Sequence, residues 1–122
     1  MKCLGPTLAP EEIAAVRKSL EFAPELEEAA ELFNLASNST RLKILFLLER
    51  LEELCVCDLA EMLGVSVSAV SQHLAKLRAY GLATTRRDAQ TIYYRLSDHE
   101  FLEKLRGSFF AEMEPAFLST ES

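Results

Sequence analysis

A mainly α-helical fold carrying one β-hairpin, a winged helix-turn-helix, is predicted by three features of this 122-residue sequence. Two amphipathic helical patterns, over roughly 56–63 and 67–80, are separated only by Gly64-Val65-Ser66. Glycine suits a helix C-terminus and serine the next N-cap, so this spacing makes a tight helix-helix turn. After Gly81 ends the second pattern, "LATTRR", "DAQ" and "TIYYRLS" read as strand, turn and strand, rich in Thr, Ile and Tyr.

The elements follow in order. Residues 1–9 form a loose tail, because Gly5 and Pro6 preclude regular structure. A single domain is expected over 10–118. Pro10 suits the first turn of a helix, with Glu11 and Glu12 complementing its dipole and Ile13, Val16 and Leu20 as its apolar stripe. Pro24 opens a second helix with Leu26, Ala29, Ala30, Phe33 and Leu35. Asn38-Ser39-Thr40 is a cap cluster, and Leu42, Ile44, Leu45, Leu47 and Leu48 behind it predict a central core helix. Beyond the hairpin, Ser97-Asp98 is expected to cap a last helix carrying Phe101, Leu102, Leu105, Phe109, Phe110 and Met113. Tyr93 and Tyr94 alternate on a strand, so one is expected to face inward and the other outward.

Composition narrows the class. With 49% hydrophobic and 26% charged residues, the chain falls among soluble globular proteins. No window approaches a membrane span, and the N-terminus has no secretory character. The expected location is the cytoplasm, where thiols stay reduced and clustered cysteines favour metal or redox chemistry. The net charge of -6 is unevenly spread. Residues 1–65 carry -6 and residues 98–122 carry -4. Between them, Lys76, Arg78, Arg86, Arg87 and Arg95 face only Asp88, giving +4. One basic island in an acidic protein is an electrostatic footprint for phosphate, provided that the fold gathers it on one face.

The second helix of a helix-turn-helix enters the major groove and meets base edges with its N-terminal residues. Here those are Ser66, Val67, Ser68, Ala69, Ser71 and Gln72. Small hydroxyls allow close approach, and Gln72 can pair with adenine through two hydrogen bonds. Val70, Leu74 and Leu77 between them recur at helical spacing and belong to the core. His73 suits a phosphate or base contact, or an ordinary surface position. Lys76 and Arg78 extend the positive face. Arg86 and Arg87 at the hairpin tip are placed for backbone or minor-groove contacts.

"NSTRLKILFLL…ELCVCDLAEMLGVSVSAVSQHLAKLRAYGLATTRRDAQTIYYRLSD" resembles the ArsR/SmtB family of metal-sensing transcriptional repressors, over about residues 28–115. The resemblance implies a homodimer that binds operator double-stranded DNA and lets go when a metal or metalloid ion binds. "ELCVCDL" resembles the family's thiolate box, which makes Cys55 and Cys57 the implied ligands. Thiolates suit Cd(II), Pb(II), Hg(II), As(III) or Zn(II). On an ideal helix residues two apart point ~200° around the axis, so chelation by both would require distortion at the helix start. Cys3 in the tail is the implied third ligand, since Ala60 stands where arsenic sensors carry another cysteine. Asp58 or a water could add a fourth for Cd(II). No organic cofactor is expected.

The family's second metal site lies on the last helix. This sequence offers Asp98, Glu100, Ala111 and Glu114 where Asp, His, His and Glu are usual, with His99 out of phase by one. A zinc site there is not expected. The last helix, with Phe101, Leu105, Phe109, Phe110 and Phe117, is expected to act with the N-terminal helix in dimerisation. No catalytic constellation is recognisable, so no enzymatic activity is expected. Two rivals stay open: a thiol redox-sensing repressor of the same fold, and a protein-binding module with inert cysteines.

Overall fold

The structure is a computed structural model that describes residues 4–113. The chain divides into two compact units, one up to Glu31 and one from Leu32 onward. In the first, Pro10 opens α1 (Pro10–Glu21), as its fixed φ and missing N–H allow. The Glu12 carboxylate accepts the Ala9 amide at 3.2 Å. α1 buries none of its residues, and Val16 and Leu20 stay 54% and 57% exposed. α2 (Pro24–Ala36) begins in this unit and ends in the next.

The second unit is built around α3 (Ser39–Leu51), whose Ile44, Leu45, Phe46, Leu47 and Leu48 are all buried. Asn38 caps it, its Oδ1 accepting the Arg41 amide at 3.0 Å. The chain leaves α3 through a γ-turn at Glu52 (φ 71°, ψ -53°), closed by the Glu53 amide donating to the Leu51 carbonyl at 2.8 Å. A short strand follows that sequence periodicity did not reveal, β1 (Leu54–Cys55). Next come α4 (Val56–Leu63) and α5 (Val67–Ala79). Gly64 takes the left-handed conformation (φ 68°) that ends α4, and Ser66 Oγ accepts the Ala69 amide at 3.0 Å to begin α5.

β2 (Ala83–Asp88) and β3 (Thr91–Leu96) form the hairpin, with Asp88 paired to Thr91 and only Ala89 and Gln90 left as the turn. The sheet is antiparallel in the order β1-β3-β2, with Leu54 opposite Tyr94 and Cys55 opposite Tyr93. Tyr94 packs against the core, as alternation predicts for one of the two tyrosines.

α6 (Glu100–Ser108) departs from expectation at both ends. Its cap is His99, whose Nδ1 accepts the Phe101 amide at 3.0 Å. Ser97 instead donates its hydroxyl to the Gly81 carbonyl and its amide to Leu82, tying β3 to the end of α5. A 3-10 turn (Phe110–Glu112) follows α6. Phe101 and Phe110, expected at a partner interface, are in the core. Their rings meet Phe33 and Phe46 edge-on, each at 5.4 Å. Arg50 lies over the Phe46 ring and donates to the carbonyls of Phe110 and Met113, which holds this end of the chain against α3. Phe109 remains 45% exposed, while Glu114 and Phe117 lie outside the described residues. No helix among the described residues is long and apolar enough to cross a membrane.

Two substitutions separate burial from backbone strain. Leu77→Ala, at a side chain with no exposure, is expected to cost about 2–5 kcal/mol of unfolding free energy in urea. Gly64→Ala meets nothing within 4 Å of the added methyl, so only its left-handed backbone costs, about 1 kcal/mol. Equal losses would contradict this division.

Candidate functional site: the exposed face of α5, the wing and the thiol pair

The inner row of α5, Val70, Leu74 and Leu77, is fully buried, so the opposite face is fixed toward solvent. Around the rest of the helix Val67, Ser68, Ser71, Gln72, Lys76 and Arg78 are all exposed, Lys76 and Arg78 pointing ~200° apart, while Ala69 is half-buried. Ser66 uses one oxygen lone pair on the cap and keeps its hydroxyl proton as a donor. Lys76 and Arg78 make no ion pair among the described residues, so their charges are free for an anion. Of the predicted reading residues on α5, all but the half-buried Ala69 and His73 are exposed to solvent.

His73 is half-buried and already engaged. Arg41 reaches it from the start of α3, with Nη1 at 3.2 Å from His73 Nδ1, while Arg41 Nε donates to the Leu35 carbonyl at 2.9 Å. An arginine has no acceptor, so in this contact Nδ1 accepts and the ring is neutral. Burial first, then the charges of Arg41 and Lys76, lowers the pKa of His73 below its ordinary 6.5. Arg41 is a structural partner that sequence reasoning passed over, because it lies 32 residues from His73.

The two arginines of the hairpin differ. Among the described residues Arg87 donates only to the Ala89 carbonyl, at 3.2 Å. Arg86 donates from Nε and Nη2 to both carboxylate oxygens of Glu53, at 2.9 and 2.8 Å, and lies over the Tyr93 ring. The hydrogen bond from Arg86 is the main cause holding the Glu53 carboxyl below its ordinary range. Arg86, expected as a DNA contact, is thus already paired within the chain.

Cys55 stands where β1 becomes α4. Its backbone is extended (φ -89°, ψ 170°), so the angular divergence of two helical residues does not apply to this pair. Its sulfur accepts the Asp58 amide at 3.4 Å, and its own amide donates to Asp58 Oδ2 at 3.3 Å, a reciprocal cap. Cys55 is half-buried and Cys57, two residues on, is exposed. Two soft sulfur donors at one helix start suit a thiophilic ion. Asp58, a candidate fourth donor, is turned back into the cap. Among the described residues no group of three or more His, Cys, Asp or Glu is gathered to hold an ion. Cys3 lies outside the described residues. At the last helix, His99 caps through Nδ1 and Glu100 pairs with Lys104 at 3.7 Å.

Comparison with known proteins covers the stretch from α3 to the first half of the hairpin. Residues 38–85, from the cap of α3 to the start of β2, match the model of the bacterial regulatory proteins of the arsR family. The nodulation protein NolR of Rhizobium meliloti is 49% identical over 86 residues, spanning 67% of this chain and 70% of that protein. The arsenical resistance operon repressor of Escherichia coli is 46% identical over 69 residues, 57% of this chain and 59% of that repressor's length. The crystal structure of the AntR antimony-specific transcriptional repressor superposes with a TM-score of 0.66 at 28% identity, over 98% of this chain and all of that one.

The His73 contact carries a pH dependence. The folded chain protonates His73 less readily than the unfolded chain does, so its contribution is fully present above about pH 6.5. It is lost as pH falls through the lowered folded value. Wild type is expected to lose more Tm between about pH 7.5 and pH 5 than His73→Gln does. Parallel losses would contradict the Arg41 contact as the cause.

Proposed function

The chain belongs to the arsR family of bacterial regulatory proteins, and from that premise we propose that it is a homodimeric repressor released from operator DNA by a thiophilic ion. It is a transcriptional regulator and not an enzyme. The ion is held by Cys55 and Cys57, with Cys3 of the tail as third ligand, and is drawn from Cd(II), Pb(II), As(III), Hg(II) and Zn(II). The observation that carries this reading is the position of Cys55: its sulfur caps the helix that leads, through a three-residue turn, into α5.

The operator-bound state uses the exposed residues of α5 for the major groove. Ser66, Ser68, Ser71 and Gln72 supply hydrogen bonds to bases and phosphates, Ala69 allows close approach, and Lys76, Arg78 and Arg87 neutralise phosphates. His73, held by Arg41, fixes α5 against α3 and offers its remaining ring nitrogen. The resident charge of the whole chain is negative, so binding depends on this one face and is steeply weakened by salt.

Release follows from competition for one sulfur. An ion on the Cys55 sulfur, drawn also toward Cys57, would pull that sulfur from the direction in which it accepts the Asp58 amide, so that the start of α4 rearranges. The ion favours release only to the extent that it binds the rearranged conformation more tightly. The names of two relatives, for arsenicals and antimony, support a thiophilic effector, while the third is named for nodulation, and its name carries no effector. The exposed stripe of α1, with Val16 and Leu20 more than half exposed, supports a partner chain there.

Reduced protein is expected to bind a duplex selected from a random-sequence pool and to lose about tenfold or more of that affinity on adding Cd(II) or As(III). Cys55→Ser and Cys57→Ser are each expected to keep the binding and lose the response, and Cys3→Ser to weaken the response. Full response in both of the first two variants would overturn the ligand assignment. Release by oxidant and by no ion would select the redox reading instead.

A further inference from the structure

Arg86 and Arg87 are adjacent, identical in chemistry and placed on the same strand, yet among the described residues only Arg86 is ion-paired. Both oxygens of Glu53 accept from one edge of the Arg86 guanidinium, a fork-on-fork pair whose net charge is zero. The guanidinium carbon lies 4.8 Å from the centre of the Tyr93 ring. A DNA phosphate would have to displace a carboxylate that is tethered to the same chain.

The partners of this contact are as informative as the contact. Tyr93 is opposite Arg86 across β2–β3 and opposite Cys55 across β1–β3. Glu53 sits between the γ-turn at Glu52 and β1, two residues before Cys55. The hairpin therefore grips the segment bearing the thiol twice, once through the β1–β3 ladder and once through the Glu53–Arg86 pair. Arg86 is half exposed, so the pair is screened by solvent and its value is geometric rather than energetic.

We propose that Arg86 is a linker and not a DNA contact: Glu53 and Tyr93 hold its guanidinium so that the wing is tied to the strand carrying Cys55. Its regulatory consequence rests on the functional reading above. A rearrangement at Cys55 is passed to the wing through Glu53 and Arg86, and Arg87, Lys76 and Arg78 carry the phosphate contacts.

Two ion-free measurements on the reduced full chain test the assignment. The first is the salt dependence of binding to the selected duplex. Arg87→Gln is expected to lower the slope of log affinity against log salt by about one, and Arg86→Gln to leave it at the wild-type value. A fall of about one in Arg86→Gln would overturn the proposal. The second is amide exchange at Leu54, Cys55 and Tyr93, expected to quicken several-fold in both Arg86→Gln and Glu53→Gln while the buried end of α5 around Leu77 is unchanged. Unchanged exchange in β1 would overturn the tie. With Cd(II) present, ion-induced release is expected to shrink several-fold in Arg86→Gln, and full release would overturn the regulatory consequence. A wild type indifferent to every ion would count against the functional reading alone, since slopes and exchange need no ion.

Discussion

The burial of Val70, Leu74 and Leu77 in the core is the constraint that decides which side of α5 is left to solvent. Each such side chain contributes about 1.5–3 kcal/mol by leaving water, and all three would be lost together if α5 turned about its axis. The helix therefore has one permitted orientation. Ser68, Ser71, Gln72, Lys76 and Arg78 are left exposed as a consequence, in the stretch 66–97 that carries +4 within an acidic chain. Arg41 adds a polar latch at the same seam by bonding His73 and the Leu35 carbonyl together.

Cys55 carries a second constraint, because it belongs to two elements at once. Its backbone pairs with Tyr93 in the sheet, and its sulfur closes the first turn of α4. A ligand that takes the sulfur acts on a helix start, where four amides depend on whatever acceptors the flanking residues supply. From there a three-residue turn leads into α5, and the Glu53–Arg86 pair joins the same segment to the wing. A cysteine inside a helix would have neither connection.

How much of this was legible in the sequence follows from the range of each interaction. Helix ends at Pro10, Pro24, Asn38, Gly64 and Ser66 were readable because capping is chemistry between residues a few positions apart. The core row of α5 and the hairpin were readable from period. β1 was not, since two residues have no period and their partners, Tyr93 and Tyr94, lie far along the chain. The cap of α6 was misread because Ser97 had a distant use, bonding the Gly81 carbonyl, that left His99 to cap. Phe101 and Phe110 were misplaced for the same reason: their partners, Phe33 and Phe46, are on earlier helices. In the site, the exposed face of α5 was legible, whereas the different fates of Arg86 and Arg87 depended on Glu53, 33 residues away.

The central claim is that the Cys55 sulfur exchanges a helix cap for an ion, and the Asp58 amide reports on it directly. Its nuclear magnetic resonance signal would be followed in reduced protein during titration with Cd(II), alongside the sulfur-to-metal charge-transfer absorbance. The account predicts that the Asp58 signal shifts and its hydrogen exchange quickens in step with the absorbance, and that neither happens in Cys55→Ser. An Asp58 amide that stays unchanged while the absorbance saturates and operator is released would contradict it.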